Sequence, residues 1–226
     1  MTRWAGVTFG EAGGADAGRV VKIDLSSNDH TGNQLTSIPP EIGRFTALTE
    51  LDLSSTKLTS VPPEIGRLTA LTKLILKGTQ LTSIPPEIGR LTALETFLFS
   101  HNELTSVPAE LGELTSLTYL DLNFNKLRSV PKELGNLQAL TSLALRGNQL
   151  RSVPAELGQL TALTALYISS NRLRSVPAEL GQLTALKVLE LGRNLLTSVP
   201  AELGVGRCTL TPIRPWVDVT ALGFNA

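Results

Sequence analysis

One motif returns along this chain at a fixed step of 23 residues, and that period limits the fold more than any other feature. A representative copy runs from Leu140 to Ala162 and reads LTSLALRGNQLRSVPAELGQLTA. A short period of this kind is typical of a solenoid, in which each copy forms one coil of a continuous stack. The eight copies begin at Val20, Leu48, Leu71, Leu94, Leu117, Leu140, Leu163 and Leu186.

The first half of each copy predicts a short strand with one buried face. Leu140, Leu143 and Leu145 form the pattern L-x-x-L-x-L, in which apolar and polar residues alternate around Leu143. Asn148 follows where the chain must turn, and its short amide side chain suits backbone groups that a turn leaves unpaired. Threonine replaces this asparagine in two copies, at Thr56 and Thr79.

The second half of each copy predicts about one helical turn. Pro154 stands where a helix would start, Glu156 lies in its first turn, and Gly158 stands where it would stop. One copy cannot bury its own leucines, so the strands of successive copies must stack into a parallel sheet with a spacing of about 4.8 Å. The sequence therefore predicts an α/β solenoid with short helical or 3-10 turns opposite the sheet.

The composition argues against several classes of function. Twenty basic residues balance twenty acidic ones, so no overall charge attracts nucleic acid or an anionic membrane. Cys208 is the single cysteine, which excludes an internal disulfide and favours a cytoplasmic over a secreted location. The sequence contains no apolar run typical of a signal peptide or of a membrane span.

Motifs of catalysis and metal binding are absent from the sequence. It contains no H-E-x-x-H, no G-x-S-x-G, no phosphate-binding glycine loop and no spacing that pairs cysteine with histidine. We therefore expect a protein that is not an enzyme, with no catalytic residue, no metal ligand, no cofactor and no small-molecule substrate.

The two ends of the chain depart from the repeat. We expect residues 1–19 to form an N-terminal cap with Trp4 as its lid, and residues 20–204 to hold the eight repeats. The first copy is five residues longer than the others, which predicts a bulged loop at 28–32. Residues 205–226 leave two outcomes open, an irregular cap over the last copy or a disordered tail.

The motif L-x-x-L-x-L-x-x-N-x-L-T-S-V-P-x-E-L-G-x-L resembles the leucine-rich repeat over about 185 residues. Its length and the pattern P-x-E-[IL]-G-x-L are similar to intracellular scaffolds related to Ras-suppressor proteins and plant Ras-group repeats. The resemblance implies a horseshoe with the parallel sheet on its concave face, short turns on its convex face and a non-catalytic role in protein binding. The segment from Trp4 to Leu25 is similar to the N-terminal cap of plant-type receptor ectodomains, but Thr2 and Phe9 stand where that cap carries cysteines.

The concave face exposes the residues that alternate with the buried leucines, and we predict binding of a protein partner there. Apolar and aromatic residues, with one histidine, occupy this face in copies three to seven. An exposed apolar patch commonly marks an interface, and tyrosine is enriched among hot-spot residues. The alternative is that these side chains lie flat on the sheet and shield each other. The candidate residues are Ile75, Leu98, His101, Tyr119, Phe124 and Tyr167.

A second candidate surface, called the basic edge below, consists of Lys126, Arg128, Arg151, Arg172 and Arg174. Basic groups in a row can bind phosphates or an acidic protein, whereas acidic residues between the copies are typical of a solvated edge. No aromatic residue is interleaved for base stacking, so nucleic acid is not the expected partner.

Two other roles stay open beside partner binding. The chain is expected to be a monomer or a weak homo-oligomer, and self-association through its C-terminal end would make it a structural protein. It is also compatible with the recognition domain of a larger signalling protein.

Overall fold

The structure is a computed structural model, and it describes residues 7–9, 19–26, 33–203 and 209–210. Strands of two to five residues alternate along these ranges with 3-10 helices of three to five residues. The strands are β1 (Val7–Phe9), β2 (Val20–Asp24), β3 (Glu50–Asp52), β4 (Lys73–Ile75), β5 (Thr96–Leu98), β6 (Tyr119–Asp121), β7 (Ser142–Ala144), β8 (Ala165–Tyr167), β9 (Val188–Glu190) and β10 (Thr209–Leu210). The 3-10 helices span Pro40–Arg44, Pro63–Arg67, Pro86–Arg90, Ala109–Glu113, Lys132–Asn136, Ala155–Gln159, Ala178–Gln182 and Ala201–Leu203.

The strands form one sheet in which their order follows the sequence from β1 to β10. Strands β2 to β10 run parallel, whereas β1 pairs with β2 in the antiparallel direction. The register is the same in each pair of copies, so that Leu120 pairs with Leu143 and Leu143 pairs with Leu166. The predicted horseshoe solenoid is confirmed, and its convex turns are of the 3-10 type.

The core consists of columns of leucine that run through the whole stack. Leu143 and Leu145 are fully buried, and so are their counterparts in neighbouring copies. Phe97 and Phe99 fill the same two positions in the fourth copy, where their rings meet edge to face with centroids 5.4 Å apart. Each buried side chain of this size contributes about 1.5–3 kcal/mol of transfer free energy, so these columns dominate the stability of the fold.

A ladder of asparagine side chains ties each of copies four to eight to the copy before it. The side-chain oxygen of Asn125 accepts a hydrogen bond from the backbone N–H of Leu104, and its amide donates to the carbonyl of Phe99, both at 3.0 Å. The same amide donates to Leu122 in its own copy at 3.2 Å. The role predicted for these asparagines is therefore confirmed and extended, because they pair buried backbone groups of two copies. The other members are Asn102, Asn148, Asn171 and Asn194.

Close stacking on the convex side depends on one glycine in each of the first seven turns. Gly135 is buried inside the helix Lys132–Asn136, and a Cβ atom there would lie 2.4 Å from the backbone oxygen of Glu156. The prediction that this glycine ends the helix is wrong, because Gly158 also lies inside its helix, Ala155–Gln159. The missing side chain instead lets neighbouring turns approach.

Replacing Gly135 with alanine should lower the free energy of unfolding by about 1–3 kcal/mol, because the added methyl group overlaps the next turn. Gly43→Ala is the matched control, since the nearest atom to its added Cβ lies 3.0 Å away and the loss should be smaller. Urea unfolding followed by circular dichroism measures both. Equal losses would contradict this account of the convex stack.

Several expectations about the two ends lie outside the described residues, namely the Trp4 lid, the loop at 28–32 and most of the tail. Within the described ranges, β1 and β10 extend the sheet beyond the eight copies. The division into a cap, eight repeats and a tail stays a prediction. None of the helices in the part of the chain that the structure describes is long and apolar enough to cross a membrane.

Candidate binding surface on the concave face

Parallel pairing arranges the residues of the concave face into columns. The central column holds the last residue of each strand from β2 to β9, and the first column holds the residue two positions earlier. A third column follows three residues after the central one. The central column is Asp24, Asp52, Ile75, Leu98, Asp121, Ala144, Tyr167 and Glu190. The described part of the third column is Ser55, Gly78, His101, Phe124, Gly147, Ser170 and Arg193.

The first two copies carry charged groups on this face. Lys22 forms an ion pair with Glu50 at 2.9 Å. The hydrogen bond to this carboxylate is the largest cause that raises the pKa of Lys22, and the negative charge of Glu50 is the next. The hydroxyl of Ser26 donates to Asp24 and lowers the pKa of that carboxyl group. Lys73, on the strand next to Glu50, forms no ion pair with the residues that the structure describes.

The six candidate binding residues lie on the middle of the concave face, and they are called the concave patch below. Ile75 and Leu98 are half-buried partners on adjacent strands. Tyr119 is 37% exposed and Phe124 is 44% exposed. Tyr167 is half-buried, and His101 is exposed. The concave patch is therefore most open to solvent at Tyr119, Phe124 and His101.

One residue of the central column is not exposed as the column pattern predicts. Ala144 lies between Asp121 and Tyr167 in the sheet but is only 2% exposed. Its methyl group is short, so larger neighbours cover it. Ala144 therefore offers almost no contact surface of its own between Asp121 and Tyr167.

Phe124 has a left-handed backbone conformation, and its ring lies between two neighbouring residues of the same column. Its φ angle is 52°, and its ring stacks on His101 with centroids 4.5 Å apart and an angle of 23° between the planes. On the other side, a Cβ atom on Gly147 would lie 2.6 Å from the Phe124 ring, which shows that the ring covers this glycine. A bulky residue at positive φ is rare and costs about 1–2 kcal/mol.

The whole third column shares this left-handed conformation, which sequence reasoning missed. The φ angles lie between 52° and 68° in all seven described members. Glycine, which adopts this conformation without strain, stands only at Gly78 and Gly147. The recurrence of glycine at one position of the repeat was the sequence signal that could have predicted the left-handed backbone.

Tyr119 shares its surroundings with a carboxylate and a second phenol. Burial is the largest cause that raises the pKa of Tyr119. The charge of Asp121 and the Tyr167 phenol raise this pKa further. Tyr119 is therefore influenced by a carboxylate on its own strand, β6, and by a phenol on β8.

A buried hydroxyl beside the concave patch has no hydrogen-bond partner. Ser100 is 2% exposed, and its side-chain oxygen is unpaired. In the same register, Ser54 donates to the carboxylate of Asp52, but Leu98 takes the place of that aspartate in the fourth copy. An unpaired buried hydroxyl costs about 1–3 kcal/mol. Leu98 is therefore accommodated at a local cost in stability.

Ser100→Ala should raise the free energy of unfolding by about 1 kcal/mol, because it removes an unpaired buried hydroxyl. Ser54→Ala is the matched control and should lower it by about 1 kcal/mol, since it removes a hydroxyl that is hydrogen-bonded to Asp52. Thermal and urea unfolding of both variants test the difference in sign. A loss of stability at Ser100 as large as that at Ser54 would show that the Ser100 hydroxyl is paired.

All five residues of the basic edge are exposed, in copies five to seven. Lys126 forms an ion pair with Glu103 of the preceding copy, which offsets its charge. The four arginines form no ion pair with the described residues. Within those residues, no group of three His, Cys, Asp or Glu side chains could hold a metal ion.

The sequence matches a family model described as leucine-rich repeat region over residues 28–126 and 106–205. A comparison with curated protein sequences gives no significant match. Among solved structures, the chain is similar to a leucine-rich repeat protein of Leptospira interrogans, with 39% identity and a TM-score of 0.73 over 80% of this chain.

Two plant structures are similar at lower identity. The peptide hormone receptor RGFR1, in complex with RGF2, is 32% identical with a TM-score of 0.75 over 89% of this chain. A plant ice-binding protein is 26% identical with a TM-score of 0.72 over 87% of this chain. The chain spans 48% of the Leptospira protein, 35% of the receptor and 62% of the ice-binding protein.

Proposed function

Because this chain belongs to the leucine-rich repeat family, we propose that it is a non-catalytic binding module that holds a protein or peptide on its concave face. Folds of this family are generally interaction modules, and the similar receptor structure contains a bound peptide hormone. The stacked copies support this role, because they present a long inner surface whose residues vary while the core stays the same.

The observation that carries this proposal is the concave patch, an exposed aromatic surface built at a cost in stability. Phe124 keeps a strained backbone in a register where glycine stands in two other copies. Leu98 leaves the hydroxyl of Ser100 without a partner. The left-handed backbone is common to the described third column, but a bulky aromatic side chain in this conformation and an unpaired buried hydroxyl are departures from local preference, which are typical of functional sites.

The fold by itself does not select the type of ligand, since the similar structures include both a peptide receptor and an ice-binding protein. The side chains of the concave patch favour a protein. Tyrosine and phenylalanine provide large contact areas with few rotatable bonds, and such residues anchor protein interfaces.

We also propose that the repeats are of the 23-residue intracellular type and that the protein works as a scaffold in the cytoplasm. The repeated pattern P-x-E-[IL]-G-x-L supports the repeat type. The single cysteine, Cys208, supports a reducing compartment.

The double variant Tyr119→Ala/Phe124→Ala should lose partner binding by about tenfold or more, because exposed aromatic anchors supply much of the energy of an interface. Proteins captured from a lysate of the source cells by the wild-type chain and the variant are compared by quantitative mass spectrometry. Circular dichroism should show the same fold in both.

Phe45→Ala is the matched control for this experiment. Phe45 is 37% exposed, like Tyr119, but it follows the first convex helix, so its removal should leave capture unchanged. Capture that survives in the double variant would refute the concave patch as the binding site. Equal losses in the double variant and in Phe45→Ala would point to non-specific adsorption.

A further inference from the structure

A single carboxylate stands among uncharged groups in the middle of the concave face. Strands β5 to β8 contribute eight residues to the first and central columns, and Asp121 is the only charged one. Aromatic, small and hydroxyl side chains occupy the other positions. The eight residues are Thr96, Leu98, Tyr119, Asp121, Ser142, Ala144, Ala165 and Tyr167.

Asp121 is less fully hydrogen-bonded than its counterparts in the first two copies. One of its oxygens accepts the backbone N–H of Asn123 at 3.0 Å. The carboxylate of Asp52 accepts both the backbone N–H and the hydroxyl of Ser54. In the described ranges no side chain donates to Asp121 and no cation pairs with it. The second oxygen of this half-buried carboxylate therefore keeps its full capacity to accept hydrogen bonds.

The part of the chain that the structure describes does not supply the missing donor. Asn123 stands at the position that corresponds to Ser54, the residue that donates to Asp52. The side-chain oxygen of Asn123 instead accepts a hydrogen bond from the backbone N–H of Arg146 at 2.7 Å. The side chains of Arg146 and Arg193 form no ion pair with the described residues.

The surroundings of this carboxylate are suited to a cation with an apolar stem. The faces of aromatic rings attract a cation by about 0.5–2 kcal/mol. Tyr119 lies on the strand of Asp121, and Tyr167 lies in the central column beyond Ala144. A carboxylate forms its strongest hydrogen bonds with charged donors such as guanidinium or ammonium groups. The methylene groups of arginine and lysine can lie against apolar rings while the charged end reaches the carboxylate.

We infer, on the basis of the proposed function, that the concave patch binds an extended peptide segment and that Asp121 receives an arginine or lysine side chain of that segment. Neighbouring strands lie about 4.8 Å apart, so the patch extends about 19 Å from β4 to β8. An extended segment of about six residues covers this distance. Ile75 and Leu98 then contact an apolar residue of the same segment beside the basic one. An acidic or phosphorylated segment would be repelled by Asp121.

A phage-displayed library of random peptides provides the probe, panned on the full chain and on Asp121→Asn. Asparagine keeps an oxygen that can accept the backbone N–H of Asn123, so the fold should be preserved, as circular dichroism can verify. The wild-type chain should enrich peptides that carry arginine or lysine next to an apolar residue. Asp121→Asn should lose the preference for the basic residue.

One enriched peptide is then synthesised with arginine and with citrulline, its neutral analogue, at the basic position. Removing either the charge of Asp121 or that of the peptide arginine should raise the dissociation constant by about tenfold. Removing both charges should raise it no further. Asp52→Asn is the matched control, because Asp52 lies in the same column outside the concave patch, and the affinity should not change.

The outcomes separate this inference from the proposed function. Peptides that depend on Tyr119 and Phe124 but bind equally well to Asp121→Asn would overturn the inference and leave the proposed function standing. Enrichment of acidic peptides, or of no peptide, would also overturn the inference, and the capture experiment with the double variant would then decide the proposed function alone.

Discussion

Each copy of the repeat depends on its neighbours both for burying its leucines and for pairing its backbone. Leu143 is fully buried only because a copy lies on each side of it, and its strand is paired with both of them. The asparagine ladder extends this dependence to the turns, since Asn125 pairs backbone groups of two copies. A coil of 23 residues has no interior of its own, so the stack is the smallest unit that can be stable. The close approach at Gly135 has the same origin, because the convex turns must keep the spacing that the sheet sets.

This division between a constant core and a variable inner wall allows the concave face to change from copy to copy. Asp24 and Asp52 have serine hydroxyls as partners, and the third column turns through the same left-handed conformation in every described copy. Phe124 keeps this conformation with a bulky side chain, and Leu98 replaces the aspartate that would pair with a serine hydroxyl, so both residues weaken the stack locally. Their neighbours compensate in part, since His101 stacks on the strained phenylalanine. A binding surface and a stable coil thus make opposite demands on the same few residues.

The same type of residue has different chemistry at different points of one column. Asp24, with its hydroxyl partner and a nearby lysine, is a satisfied carboxylate whose pKa is lowered. Asp121 has one backbone donor and aromatic neighbours, so it keeps acceptor capacity for a group from outside. The difference arises from the residue two positions later, serine in one copy and asparagine in the other, and from the tyrosines on nearby strands. Recognition on this surface therefore depends on combinations of copies rather than on any one of them.

The sequence by itself determined the solenoid, the parallel register and the membership of each column, because equal spacing of alternating leucines leaves in-phase stacking as the one way to bury them. It also placed the candidate residues of the concave patch on one face. The tertiary structure decided the burial of Ala144, the strain at Phe124, the unpaired hydroxyl of Ser100 and the ion pair between Lys126 and Glu103. These features depend on distances between side chains of adjacent copies. The repeat period determines which residues occupy equivalent positions in each coil. The contacts between coils also depend on how side chains of different sizes and the local backbone angles fit together, and this fit is known only once the coils are stacked.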